Sequence, residues 1–119
     1  MKAEIRSIHS PDAHDLQALL DRPENAHSIL VQVLVGPKGH PGEESLDFLV
    51  VNCDWIAARI RADGCGVFAA GLIVVDVFDG AAICSQIEHL VSQLRAENWT
   101  DLALILGRYG TWEFEDYSE

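Results

Sequence analysis

Basic side chains are scarce in this chain. Eight Lys and Arg stand against nineteen Asp and Glu in 119 residues, a formal net charge of −11. Binding a phosphate backbone or an anionic bilayer requires Lys and Arg to replace counterions, so neither nucleic acid nor a membrane is expected as a partner. The charge suits a cationic partner or simply a well-solvated surface, and does not choose between them. Cysteine is sparse too: Cys53, Cys65 and Cys84 are odd in number and fall in no metal-ligand spacing, which reads as buried, reduced thiols of a cytosolic protein. Long apolar runs are absent. The longest, Val67–Val75, has nine residues and contains Gly71, far short of the roughly twenty that span a bilayer. The opening Met1-Lys2-Ala3-Glu4-Ile5-Arg6 has no apolar core and no small-residue cleavage site, so no secretory signal is expected and the cytoplasm is the expected location.

What is present suits one folded domain over residues 1–119: 49% of the residues are hydrophobic, and no linker or repeat divides the chain. Residues 2–8 alternate as a first strand, ended by Ser10-Pro11-Asp12. Residues 14–20 carry Leu16, Leu19 and Leu20 at the spacing of a short helical turn. Residues 27–35 and 45–53 are β-branched, apolar strands, with Leu46, Phe48 and Val50 on one face of the second. The Gly- and Pro-rich loop of residues 36–44 joins them and is long for a hairpin, which favours exposure and function. Asp54 is placed to N-cap a helix over residues 55–62, with Ile56 and Ile60 on a buried stripe and Gly64 closing it in left-handed geometry. Residues 66–78, apolar on both faces, read as a central strand, in which Gly71 marks a bulge or a close backbone approach.

Asp79 is the expected cap of the main helix, residues 80–97, whose apolar face carries Ile83, Ile87, Leu90, Val91 and Leu94. Asn98 suits a left-handed close, and Thr100 caps a last short helix stapled by Trp99 and Leu104 and ended by Gly107. The expected fold is α+β: an antiparallel sheet of about four strands with two or three helices packed on one face. The helical link between Cys53 and Gly66 also permits a parallel crossover.

No catalytic constellation stands out. The Gly36-Pro37-Lys38-Gly39 turn lacks the Ser or Thr and the helix of a phosphate-binding loop, and neither a GxSxG elbow nor an HExxH helix occurs. The three cysteines lie in apolar segments without a basic histidine beside them, so packing rather than nucleophilic chemistry is their reading. His9, Asp12, His14 and Asp15 come nearest to a metal set, yet no Cys or second ligand cluster completes them, and a polar loop leaving the first strand explains them as well. His27, His40 and His89 read as strand start, loop and solvated helix face. No metal, cofactor or catalytic residue is expected.

The conspicuous residues are acidic and aromatic. Trp112, Phe114 and Tyr117 are interleaved with Glu113, Glu115, Asp116 and Glu119, with no Lys or Arg after Arg108; Glu43, Glu44 and Asp47 form a second acidic cluster beside the hairpin. Two readings of the tail stand side by side. Its aromatics tie it to the fold while its carboxylates face water, or they are anchors of a protein-binding patch ringed by charge.

Several stretches together resemble the immunity protein 8 family of bacterial polymorphic-toxin systems, of the contact-dependent inhibition type. They are Met1 to Ser7 with His9-Ser10-Pro11-Asp12, Val35-Gly36-Pro37-Lys38-Gly39 followed by Gly42-Glu43-Glu44-Ser45 and Asp47-Phe48, the helix-starting Trp55, and the closing Gly110 with Trp112-Glu113-Phe114-Glu115-Asp116-Tyr117. The chain departs from the pattern at Asn52-Cys53-Asp54 and from Arg59 to Val67. The resemblance implies a non-enzymatic cytoplasmic protein that binds and blocks a cognate toxin domain; the acidic balance suits a nuclease as that toxin and occlusion of its active site as the means. Glu43, Glu44, Asp47, Trp112, Glu113, Phe114, Glu115, Asp116 and Tyr117 are the expected contact residues. A small metal- or ligand-binding protein using His9, Asp12 and His14, or a non-catalytic regulatory subunit, are the alternatives.

Overall fold

The computed structural model describes residues 1–11 and 28–113. Among these residues, five strands and three helices follow one another as β1 (Ala3–His9), β2 (Ser28–Pro37), β3 (Glu44–Asn52), α1 (Cys53–Asp63), β4 (Leu72–Val75), α2 (Gly80–Gln93), α3 (Trp99–Leu106) and β5 (Thr111–Trp112). The class is α+β, as expected, but the sheet is mixed rather than antiparallel. β1, β2 and β3 pair antiparallel in that order, and β4 joins β3 in parallel through the α1 crossover, the arrangement the Cys53–Gly66 link permits. β5 lies on the same side of β3 as β4, pairing antiparallel with Leu46 and Asp47.

Buried residues at every second position of β2 and β3 build the core. Ile29, Val31, Val33 and Val35 of β2 and Leu46, Phe48 and Val50 of β3 are buried side by side. Ile83, Ile87 and Val91 of α2 and Leu102 and Leu106 of α3 close over them. Asp79 caps α2 as expected, accepting from the Ala82 amide at 3.0 Å. Gly64 closes α1 at φ 71°, the left-handed geometry that suits glycine.

Three helix boundaries differ from the expectation. Asn52, not Asp54, caps α1, because its side-chain oxygen takes the Trp55 amide at 2.9 Å. α1 buries no residue, and Ile60 is 41% exposed, so the Ile56/Ile60 stripe is not a core face. α2 stops at Gln93, four residues early. Leu94 turns extended, Arg95 bridges to Lys2, and the Ala96 amide donates to the Met1 carbonyl, so pairing with the first strand displaces the last helical turn. Asn98 is itself extended, at φ −143°, and caps α3 in place of Thr100 by accepting from the Asp101 amide at 2.8 Å. Leu104 is 68% exposed and staples nothing, whereas Gly107 does end the helix.

The largest correction concerns residues 66–78. Instead of a central strand they supply only the four residues of β4, at the end of the sheet, and β2 and β3 take the central places. Phe68 is fully exposed, and Val74 and Val77 are mostly so. Gly71 is a close approach, as expected: at φ 73°, a Cβ there would meet Thr111 Oγ1 at 2.9 Å and the Asp47 carbonyl at 3.0 Å. β4 and β5 can therefore lie end to end along β3. The expected turn at residues 14–20 lies outside the described residues.

Candidate functional site

The hairpin loop between β2 and β3 is held from the first strand. A register shift between Ile5 and Ser7 brings Arg6 toward the loop. Its guanidinium donates to the carbonyls of His40 at 2.8 Å and Pro37 at 3.1 Å and pairs with Glu4 at 2.8 Å. The loop's backbone is thereby tied down while Glu43 and Glu44 stay exposed. Asp47 is half-buried and accepts from the Ser45 hydroxyl at 2.7 Å, so part of its hydrogen-bonding capacity is spent within the fold.

β5 brings Trp112, the first aromatic of the tail cluster, to the same end of the sheet. Leu46 stands opposite Trp112 and Asp47 opposite Thr111. Trp112 is buried, its ring edge-on to Trp99 with centroids 6.2 Å apart, and its indole Nε1 donates to the Ala103 carbonyl at 2.8 Å. For Trp112, the reading in which an aromatic ties the tail to the fold describes its place. Glu44, Trp99, Leu104, Arg108 and Trp112 line one open cleft of about 450 Å³, so one residue from each sequence cluster meets there. Glu113 follows, half-buried. Phe114, Glu115, Asp116 and Tyr117 lie outside the described residues.

The metal reading rests mostly on residues outside the described ones. Among the described residues no three His, Cys, Asp or Glu gather as ligands. His9 is exposed at the end of β1, while Asp12, His14, Asp15 and His27 lie outside the described residues. His40 and His89 are exposed.

The cysteines are not buried as a set. Cys53 and Cys65 are exposed and only Cys84 is partly covered, and all three are free thiols. Apolar neighbours in sequence do not decide a cysteine's own burial: Cys53 follows the buried Val50 and Val51 and Cys84 the buried Ile83, yet Cys53 is exposed and Cys84 only partly covered. Cys53 sits at the β3–α1 junction, its Sγ 3.7 Å from the Val75 carbonyl. Burial pushes the Cys84 thiol pKa up, and the Glu88 carboxylate adds to the rise. Less thiolate then forms at neutral pH, which makes Cys84 a poor nucleophile.

One surface was not singled out from the sequence. Beside β4 a groove of about 370 Å³ is lined by Phe48, Leu72, Ile73, Leu90, Gln93 and Tyr109, among others. Its signal was the apolar run Val67–Val75, whose surface exposure periodicity does not reveal.

The molecule is thus a small α+β domain that gathers carboxylates and a tryptophan-walled cleft at one end of its sheet. The chain belongs to the immunity protein 8 family, whose pattern it matches over residues 3–117. Neither the curated proteins nor the solved structures contain a match. An immunity protein implies a cognate toxin as its partner, and such proteins are generally non-catalytic. Among the described residues, no helix is long and apolar enough to cross a membrane.

Proposed function

We propose that this protein neutralises one cognate toxin domain in the cytoplasm by forming a one-to-one complex that covers the toxin's active site. The family match over residues 3–117 carries the reading. Charge gives it a mechanism. A net charge of −11 attracts a cationic cleft from a distance and raises the association rate, an effect that salt screens. A nuclease is the toxin type that fits best, because its cleft is built to receive phosphates. Glu43, Glu44 and Asp47 at the hairpin, with Glu113, Glu115 and Asp116 in the tail, would stand where phosphates otherwise bind. Phe114 and Tyr117 are the tail aromatics proposed to supply contact area, and Trp112 backs the cleft beside Glu44.

The test is to mix the purified protein with the purified toxin domain encoded beside it, followed by light scattering on the eluted peak. A single species with the summed mass of one copy of each is expected. Two separate peaks at micromolar concentrations would rule the proposal out.

A further inference from the structure

β4 is an edge strand, and among the described residues no strand pairs its outer side. In a parallel ladder, alternate residues aim both backbone groups at the neighbouring strand. The Leu49 amide donates to the Gly71 carbonyl at 2.7 Å, and Leu49 and Val51 stand opposite Leu72 and Val74. Gly71, Ile73 and Val75 therefore face β3, and the N–H and C=O groups of Leu72 and Val74 point outward. Natural edges are usually blunted by shortness, Lys, Pro or a bulge. This one is short, at four residues, but has no charge or Pro: Leu72-Ile73-Val74-Val75 is wholly apolar.

Three further features converge on that edge. The groove beside it, about 370 Å³, offers apolar walls from Ile73, Leu90 and Tyr109. Phe68 is fully exposed four residues before β4, and Val77 is 64% exposed two residues after it. No Lys or Arg occurs between Arg61 and Arg95, a stretch that contains Asp63, Asp76, Asp79 and Glu88. An added strand would place alternate side chains on opposite faces of the sheet, so one set would enter the groove while the other lay beside Leu72 and Val74.

We infer that the outer edge of β4 receives an extended, cationic segment of the toxin as an additional strand. This rests on the neutralising role proposed above and adds a second contact surface to the acidic end of the sheet. Backbone hydrogen bonds supply affinity, and the groove supplies side-chain selection. The charge pattern selects the occupant. A second copy of this chain would bring another net charge of −11 to an acidic border, whereas a strand flanked by Lys or Arg is attracted to it.

Hydrogen exchange on the wild-type protein with the neighbouring toxin domain tests this, together with two variants. Phe68→Ser/Val77→Ser removes exposed apolar area without changing charge, and Val74→Pro removes one outward donor. Thermal melts identify any variant that fails to fold. Because Phe68 and Val77 are solvent-facing, the double variant remains informative if Val74→Pro does not fold. The expected result is new protection of the Leu72 and Val74 amides in the complex and at least tenfold weaker toxin binding by the folded variants. Tight wild-type binding with both amides unprotected and the variants unimpaired overturns the edge assignment and leaves the neutralising role intact. Protection that appears without toxin and grows with protein concentration assigns the edge to a second copy and overturns the inference. Absence of any wild-type binding overturns the neutralising role, and this inference with it.

Discussion

Replacing Trp112 with alanine is expected to lower the unfolding free energy by about 3–5 kcal/mol, the usual cost of emptying a large aromatic site in a packed core. Trp112 is 2% exposed, and its neighbours come from two separate elements: Trp99 and Ala103 of α3 and Leu46 of β3. Little relaxation can refill that volume, so the effect belongs at the large end for a single substitution. Trp112→Phe keeps much of the ring and loses the indole donor. The Ala103 carbonyl retains the Gly107 amide at 2.9 Å, so this milder change should cost on the order of 1–2 kcal/mol. Chemical denaturation of the two variants separates the contributions. Near-wild-type stability of the alanine variant would mean that β5 does not anchor the end of the chain.

Charge reversal at the hairpin has its largest effect on association kinetics. Glu43→Lys/Glu44→Lys should slow toxin association at low salt by roughly ten- to a hundredfold and flatten its dependence on ionic strength. Both side chains are exposed, so the folded state should tolerate the change. Asp47 is a less clean target because the Ser45 hydroxyl bonds to it. Stopped-flow association measured across a salt series provides the readout. Identical salt slopes for wild type and variant would identify these glutamates as solvating surface.

How far the fold is legible in the sequence depends on how locally each feature is determined. β2 and β3 are legible because buried apolar residues recur at every second position, from Ile29 to Val35 and from Leu46 to Val50, and Asp79 and Gly64 because a cap is a local device. Asn52 and Asp54 are both good cap formers, and only the hydrogen bond to Trp55 separates them. The end of α2 is set from outside the helix. Arg95, Ala96 and Glu97 are sound helix formers, yet Arg95 and Ala96 pair with Lys2 and Met1, almost a whole chain length away. Residues 66–78 mislead for a related reason. Apolar side chains on both faces describe a buried central strand and an exposed adhesive edge equally well, and the difference lies in which neighbours are absent.

The candidate site shows the same division. The acidic clusters are visible as composition, and the family resemblance is visible as motifs in order. That Glu44 and Trp112 share one cleft follows from the pairing of Leu46 with Trp112, a contact across 66 positions that no local pattern encodes. The β4 groove is likewise assembled from β3, β4, α2 and the turn after α3.

Growth is the most direct measure of the central claim. Cells induced to express the neighbouring toxin domain should stop dividing, and co-expression of this protein should restore their growth to the rate of uninduced cells. Continued arrest, with the protein present in soluble form and in excess over the toxin, would contradict the account.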